Sequence, residues 1–190
     1  MDRDALFGSQ HLPLVLSVLT AAPGREFGVR ELMTHLHTGK DNVQRALSRA
    51  VASGVASRRI TARGHRFSAA TNSPIYPELK LLLAKSHGLG RILTDHFGDR
   101  IHLAYLFGSA ATATDTADSD IDLVVVVEPS LDELYDAVLD FQRQVGRSIS
   151  VLALSAEEWE IARHDDPFLR VVESGPRAIL VTPPEPRAAL

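Results

Sequence analysis

Apolar positions recur at helical spacing through the first third of the chain. Leu12, Leu14, Val15, Leu16, Val18 and Leu19 predict an apolar helix over 12–19, stopped by Ala21-Ala22-Pro23-Gly24. Pro13 is compatible only with its first turn. Val29, Leu32, Met33 and Leu36 share one face of a second helix, and Gly39 marks the turn after it. Val43, Ala46, Leu47, Ala50 and Val51 point inward from a third helix over 42–53, closed by Gly54. Short strands over 55–60 and 65–69 then flank the turn Thr61-Ala62-Arg63-Gly64.

The pattern changes at Asn72-Ser73-Pro74-Ile75-Tyr76-Pro77, where two prolines favour extended backbone and Pro77 opens a helix. Helices are predicted over 77–86 and 89–96, separated by Gly88. A strand over 101–107, a small polar loop over 108–119 and a strand over 120–127 follow. Ser130-Leu131-Asp132-Glu133 reads as a capping box that opens a helix to about Val145, with Leu131, Leu134, Val138 and Phe141 as its core face. A strand over 149–154 leads into a second capping box, Ser155 to Glu158. Asp166 caps a last helix with Pro167 at its first position, and a short strand over 178–181 ends the pattern. Strands alternating with helices predict an α/β (α+β) fold: a mixed sheet flanked by helices. The divisions are 1–73, a connecting helix over 74–88, a sheet domain over 89–182 and a disordered proline-rich tail over 183–190.

Composition narrows the class. The chain has 190 residues, 45% hydrophobic and 23% charged, as in globular proteins. Without cysteine, neither a disulfide framework nor a thiolate metal site is available. The apolar stretch of the strand, Leu123 to Val127, is far too short to span a bilayer, and MDRDALFGSQ has no apolar signal core. The expectation is a cytoplasmic protein with no membrane partner. The net charge of −4 is divided unevenly. Residues 1–73 carry ten Lys/Arg against five Asp/Glu, and residues 74–190 carry ten against nineteen. A basic first part and an acidic remainder suggest different partners for each.

The third helix presents Lys40, Asn42, Gln44, Arg45, Ser48 and Arg49 away from its core face, and the hairpin carries Arg58, Arg59, Arg63, His65 and Arg66. Arginine pairs bidentately with guanine, and Asn or Gln with adenine. Hairpin cations suit phosphate or minor-groove contacts. Three helices with a tight turn and a hairpin follow the winged helix-turn-helix plan. The stretch from Phe27 to Asn72 resembles the winged-helix half of bacterial and archaeal regulator-like proteins fused to a nucleotidyltransferase domain. The matching residues are Val29-Arg30-Glu31-Leu32, Val43-Gln44-Arg45-Ala46-Leu47, Gly54, Arg63-Gly64 and Asn72-Ser73-Pro74. Pro77-Glu78-Leu79-Lys80 and Lys85-Ser86-His87-Gly88 resemble that family's connecting helix. Val51-Ala52-Ser53 departs from its usual leucine and acidic residue, and Phe67 stands near its usual wing tyrosine. Double-stranded DNA is the implied partner of Lys40, Asn42, Gln44, Arg45, Arg49, Arg58, Arg59, Arg63 and Arg66. The alternative is a winged helix used only for dimerisation or protein contact.

The sharpest motif is Leu106-Phe107-Gly108-Ser109, ten further residues, then Asp120-Ile121-Asp122. Two aspartates two apart on a strand project their carboxylates from the same face. Such a pair suits Mg²⁺, a hard cation that prefers carboxylate and phosphate oxygens. Gly108 permits close approach of backbone to a phosphate, and Ser109 adds a hydroxyl beside backbone N–H groups. Without a ligand, the same residues reduce to a turn and polar strand-entry positions. The spacing is similar to the signature of the polymerase-β nucleotidyltransferase superfamily, of the minimal nucleotidyltransferase type. That resemblance implies a nucleotide triphosphate at Gly108 and Ser109, and catalytic and metal-binding roles for Asp120 and Asp122.

Active members of that superfamily use a third carboxylate on a later strand. Here Ser150 stands at its position, and Arg147 to Leu152 contains no acid. Regulator-like relatives often lack a carboxylate there too, and resemble this chain again at Ser155 to Trp159 and Asp166 to Leu169. Glu157 or Glu158 remains as a substitute, although both read as first-turn helix acids. His35 and His37 read as solvated rather than metal-bound, His164-Asp165-Asp166 as a capping turn and Trp159 as a packing residue. The expected function is a DNA-binding transcriptional regulator whose nucleotidyltransferase-like domain binds nucleotide and Mg²⁺, or dimerises, with catalysis weak or lost. Two alternatives stand: an active transferase moving NMP to a protein, RNA or small-molecule hydroxyl, and an antitoxin-like interaction protein.

Overall fold

The structure is a computed structural model that describes residues 4–62, 64–128 and 131–182. Arg63, the Ser130 end of the capping box, the side chain of Leu131 and the 183–190 tail lie outside the described residues.

A single 3₁₀ turn, Ala5–Phe7, precedes α1, His11–Ala21. Val15, Leu16, Val18 and Leu19 of α1 are buried, and so are Ser17 and Thr20. A helix apolar all round belongs inside, not on a surface. Its two buried hydroxyls donate to Leu14 and Leu16 carbonyls at 2.8 Å, so neither is left unpaired. Around α1 lie α2 (Val29–Leu36), α3 (Lys40–Ala52) and the antiparallel hairpin β1 (Ala56–Thr61) and β2 (Gly64–Ala69). Phe27 pairs with Phe67 through both backbone bonds, at 2.7 and 2.9 Å, adding a one-residue third strand to the hairpin.

The chain then runs through α4 (Tyr76–Ser86) and α5 (Leu89–Phe97) into the larger sheet. That sheet has the order β5-β4-β3-β6, from β3 (Ile101–Phe107), β4 (Ile121–Val127), β5 (Ile149–Leu154) and β6 (Ala178–Val181). Strand β3 runs antiparallel to β4 and β6, whereas β4 and β5 are parallel, joined by the crossover helix α7 (Leu131–Val145). Helices α8 (Ala156–Asp165) and α9 (Pro167–Ser174) lie between β5 and β6, each opened by its expected cap. The mixed sheet flanked by helices is therefore as expected.

The central strand β4 is buried on both faces, which explains its unbroken apolar run. Ile121, Leu123, Val125 and Val127 join Leu134, Val138 and Phe141 of α7 in one core. Val124 and Val126 join Tyr105, Trp159, Leu169 and Val172 on the other face, where Trp159 is a packing residue. The first core is continuous with that around α1, reaching Val15, Leu19 and Leu47. Among the described residues, no helix is long and apolar enough to cross a membrane.

The polar loop over 108–119 departs from expectation. It begins with a four-residue helix, α6 (Gly108–Ala111), too short to show a periodicity in sequence. Asp120 lies one residue before β4 rather than on it.

Candidate nucleotide and metal site

The site forms where β3 ends and β4 begins. Phe107, the last residue of β3, pairs directly with Asp122, and Asp122 pairs in turn with Ser150 of β5. Directly opposed residues leave the same face of a sheet, so these three side chains form a row. The chain turns sharply after Phe107. Gly108 has φ +62°, a left-handed conformation that favours glycine. A Cβ on Gly108 would lie 2.8 Å from Oδ2 of Asp122, so the carboxylate rests against bare backbone.

Gly108 and Ser109 open α6, whose first-turn amides have no intrahelical acceptors. The Ser109 carbonyl accepts the Thr114 amide at 3.0 Å and the Thr112 hydroxyl at 3.2 Å, which folds the following loop back on the helix. Asp120 is exposed at the mouth of the site and Asp122 is half-buried. Burial pushes the Asp122 carboxyl above its ordinary range, and the neighbouring charge of Asp120 pushes it further. The sequence motif is thus assembled in space: Gly108 touches Asp122, and Asp120 acts on it electrostatically.

These groups fit a hard divalent cation carrying a phosphate. The donors are carboxylate oxygens, and Gly108, lacking a Cβ, lets the Asp122 carboxylate lie against the backbone. The third acidic position is Ser150 by strand register. Glu158 does not replace it. Its carboxylate accepts the Ser155 amide at 2.8 Å and the Ser155 hydroxyl at 2.9 Å, bonds that hold it below the ordinary carboxylate range. Glu157 and Glu158 also follow Leu154, which pairs with Val126. At roughly 3.3 Å per residue, that is about 13 Å along β4 from Asp122. His37 is exposed, whereas His35, expected to be solvated, is half-buried with its Nε2 shielded from water.

The spacer between Ser109 and Asp120 is anchored by a buried charge cluster that sequence reasoning missed. Asp115 is fully buried and pairs with Lys80 of α4 through one oxygen. Its other oxygen accepts from Arg147, before β5, at 2.6 Å. Arg147 also donates to the Ser119 carbonyl at 2.6 and 3.0 Å, and to the Ala21 carbonyl at the end of α1 at 2.7 Å. Burial holds the Lys80 ammonium below its ordinary pKa against the opposing pull of Asp115. Arg25 makes a second link. It donates to the Gln144 carbonyl at 3.4 Å, and its guanidinium fills the space that a Cβ on Gly146 would need. No local pattern announces either link, because the partners of Asp115 are 35 and 32 residues away.

The basic residues lie elsewhere. Lys40, Gln44, Arg45 and Arg49 are exposed on α3, and Asn42 is half-buried. Arg45 donates to Asn42 Oδ1 at 2.7 Å, and Arg49 reaches the Phe7 carbonyl at 3.5 Å. The segment Gly8 to His11 lines a groove of about 300 Å³ with Asn42, Arg45 and Arg49. On the hairpin, Arg59 and Arg66 are cross-strand neighbours. Arg59 forms a two-pronged pair with Glu26 at 2.5 Å, and Arg66 pairs with Glu31 at 3.6 Å. Arg58 is exposed beside them.

Comparison with known proteins agrees with this geometry over one part of the chain. No curated protein and no solved structure matches it. Residues 89–164, which contain Gly108, Ser109, Asp120, Asp122 and Ser150, match the family described as Polymerase beta, Nucleotidyltransferase, so this stretch is similar to a nucleotidyltransferase domain.

Proposed function

We propose that this protein is a DNA-binding regulator whose nucleotidyltransferase-like domain holds a Mg²⁺–nucleotide complex and transfers nucleotidyl groups weakly or not at all. The observation that carries this reading is the row Asp122–Ser150 beside Gly108. Two carboxylates stand beside a glycine turn, while a hydroxyl stands third. A bound Mg²⁺ supplies neutralisation of phosphate charge. Asp120 and Asp122 would hold it, and Gly108 and Ser109 would admit the phosphates. The N-terminal three helices and hairpin support the DNA half: α3 exposes Lys40, Gln44, Arg45, Ser48 and Arg49, and the hairpin carries Arg58, Arg59 and Arg66. These features favour a winged helix-turn-helix reading of 1–73, with α3 in the major groove and the hairpin on phosphates. The buried Lys80–Asp115–Arg147 cluster supports communication between the two halves, because it ties the nucleotide loop to the end of α1.

The DNA half is tested by duplex binding at several salt concentrations. Replacing Arg58 by alanine should weaken binding and reduce the salt slope by about one. Arg59→Ala should cost less, because Arg59 must share or break its pair with Glu26 to reach a phosphate. Glu26→Gln should then tighten binding at low salt. Arg45→Ala and Arg49→Ala should instead alter sequence preference, by about 1–3 kcal/mol for each bidentate pairing to a base that is removed. Wild type that binds no duplex at low salt, or an Arg58→Ala variant with unchanged affinity and slope, would overturn this half.

A further inference from the structure

Next to the Asp122 carboxylate lies an aromatic pair: Phe107, which packs on the core of this face, and Phe168, which is not among the residues of that core. Phe107 is paired directly with Asp122, so its ring leaves the same face as the carboxylate. Its ring centroid lies 5.9 Å from that of Phe168, at an interplanar angle of 77°. Phe168 is 52% exposed. In α9 the core positions are Leu169 and Val172, not Phe168. Its backbone is nevertheless rigidly held: Pro167 fixes the first helical position, and Asp166 Oδ1 accepts the Phe168 amide at 2.7 Å. A large ring held half in water, braced edge-on by a second ring beside the Asp122 carboxylate, offers a flat apolar surface to a ligand.

We infer that Phe168, braced by Phe107, is the stacking platform for the base of the nucleotide whose phosphates lie at Gly108, Ser109, Asp120 and Asp122. The inference rests on the nucleotide reading given above. The order Asp122, Phe107, Phe168 runs outward from the carboxylates to the exposed ring, as phosphate, sugar and base run along a nucleotide. Stacking uses the face common to all bases and gives only modest preference, so each of the four nucleotides is accepted and the purines, with larger rings, bind most tightly. Trp159, the other aromatic of α8 and α9 near this face, is buried against Tyr105 and unavailable to a ligand.

The test is calorimetry on the full chain with two probes, Mg²⁺–tripolyphosphate and Mg²⁺–ATP. Wild type should bind ATP more tightly than tripolyphosphate. Phe168→Ala should weaken ATP about five- to hundred-fold, the range typical for loss of one base–aromatic stack, and leave tripolyphosphate unchanged. Phe168→Trp should retain ATP affinity and show quenching of the added tryptophan on ATP binding, above any change from Trp159. The inference is overturned if wild type binds both probes equally, if Phe168→Ala leaves ATP affinity unchanged, or if it weakens both probes alike. A Phe168→Ala variant that changes only oligomeric state would assign the ring to a subunit contact instead. Failure of both probes to bind wild type would remove the nucleotide reading itself, and the platform with it.

Discussion

Replacing Asp115 by alanine should destabilise the protein by about 3–5 kcal/mol, the range for removing one partner of a buried ion pair. Asp115 has no exposed side-chain surface, and Lys80 and Arg147 have only 6% and 2%. Its removal leaves two cations facing one another without a counter-charge in a site that water barely reaches. Asp115→Asn should cost nearly as much, since it preserves shape but not charge. Lys80→Met should behave differently. It leaves Asp115 paired with Arg147, so no buried charge is left uncompensated, and should cost less than Asp115→Ala. Urea denaturation of the three variants checks the ordering. If Asp115→Ala and Lys80→Met cost the same, the cluster acts through packing rather than charge. The same variants should disturb the site, because Asp115 and the Arg147–Ser119 bonds set the path of the loop from Ser109 to Asp120.

The second large effect concerns catalysis. Pyrophosphate release by wild type should be slow or undetectable with Mg²⁺, and Ser150→Asp should create or raise it, given an acceptor. Ser150 pairs with Asp122 in the parallel register of β4 and β5, so a carboxylate introduced there leaves the same face beside it. A serine hydroxyl does not act as a base near neutral pH, and as a neutral oxygen it holds a cation less strongly than a carboxylate does. General-base assistance is typically worth about 10²–10⁴-fold, which sets the expected gain. The substitution also has a cost. It adds a like charge next to a carboxyl already pushed upward by burial and by Asp120. Ser150→Asp should therefore melt at a lower temperature than wild type without Mg²⁺ and gain more from added Mg²⁺. Robust turnover by wild type that depends on Asp120 and Asp122 would support an active transferase, with the acceptor bringing its own base. Glu157 and Glu158 do not supply that group, because Glu158 is bonded into the Ser155 cap and both lie at the far end of β5.

What the sequence made legible follows from the range of the interactions. Ser150 was placed beside Asp122 through the resemblance to the nucleotidyltransferase signature, and the two capping residues Ser155 and Asp166 were readable because they act within three residues of themselves. The Gly108 turn was readable because few residues other than glycine tolerate its φ. Helix α6 escaped because four residues carry no period. Asp115 escaped because one acid in a polar loop looks solvated, and only the folded chain brings Lys80 and Arg147 around it. Phe168 was placed correctly in a helix, but its contact with Phe107 crosses 61 positions of sequence and leaves no local trace. The pairing of Arg59 with Glu26 was likewise invisible, and it lowers the share of hairpin charge ready for a phosphate.

The most direct measurement is calorimetric titration of wild type and the Asp120→Asn, Asp122→Asn double variant with Mg²⁺ and each nucleoside triphosphate, alongside thermal melting. The melting control has a definite sign. A carboxyl whose pKa is raised by folding binds its proton more tightly in the folded chain than in the unfolded one. Ionised Asp122 thus costs stability, a cost absent below the ordinary carboxylate range, growing as pH rises towards the raised value and complete above it. At neutral pH without metal, the double variant should therefore melt at a higher temperature than wild type, so lost binding cannot be ascribed to unfolding. The expected result is saturable, Mg²⁺-dependent binding by wild type that the double variant abolishes while melting higher. Equal heats of binding from both proteins would contradict a metal–nucleotide site at Asp120 and Asp122.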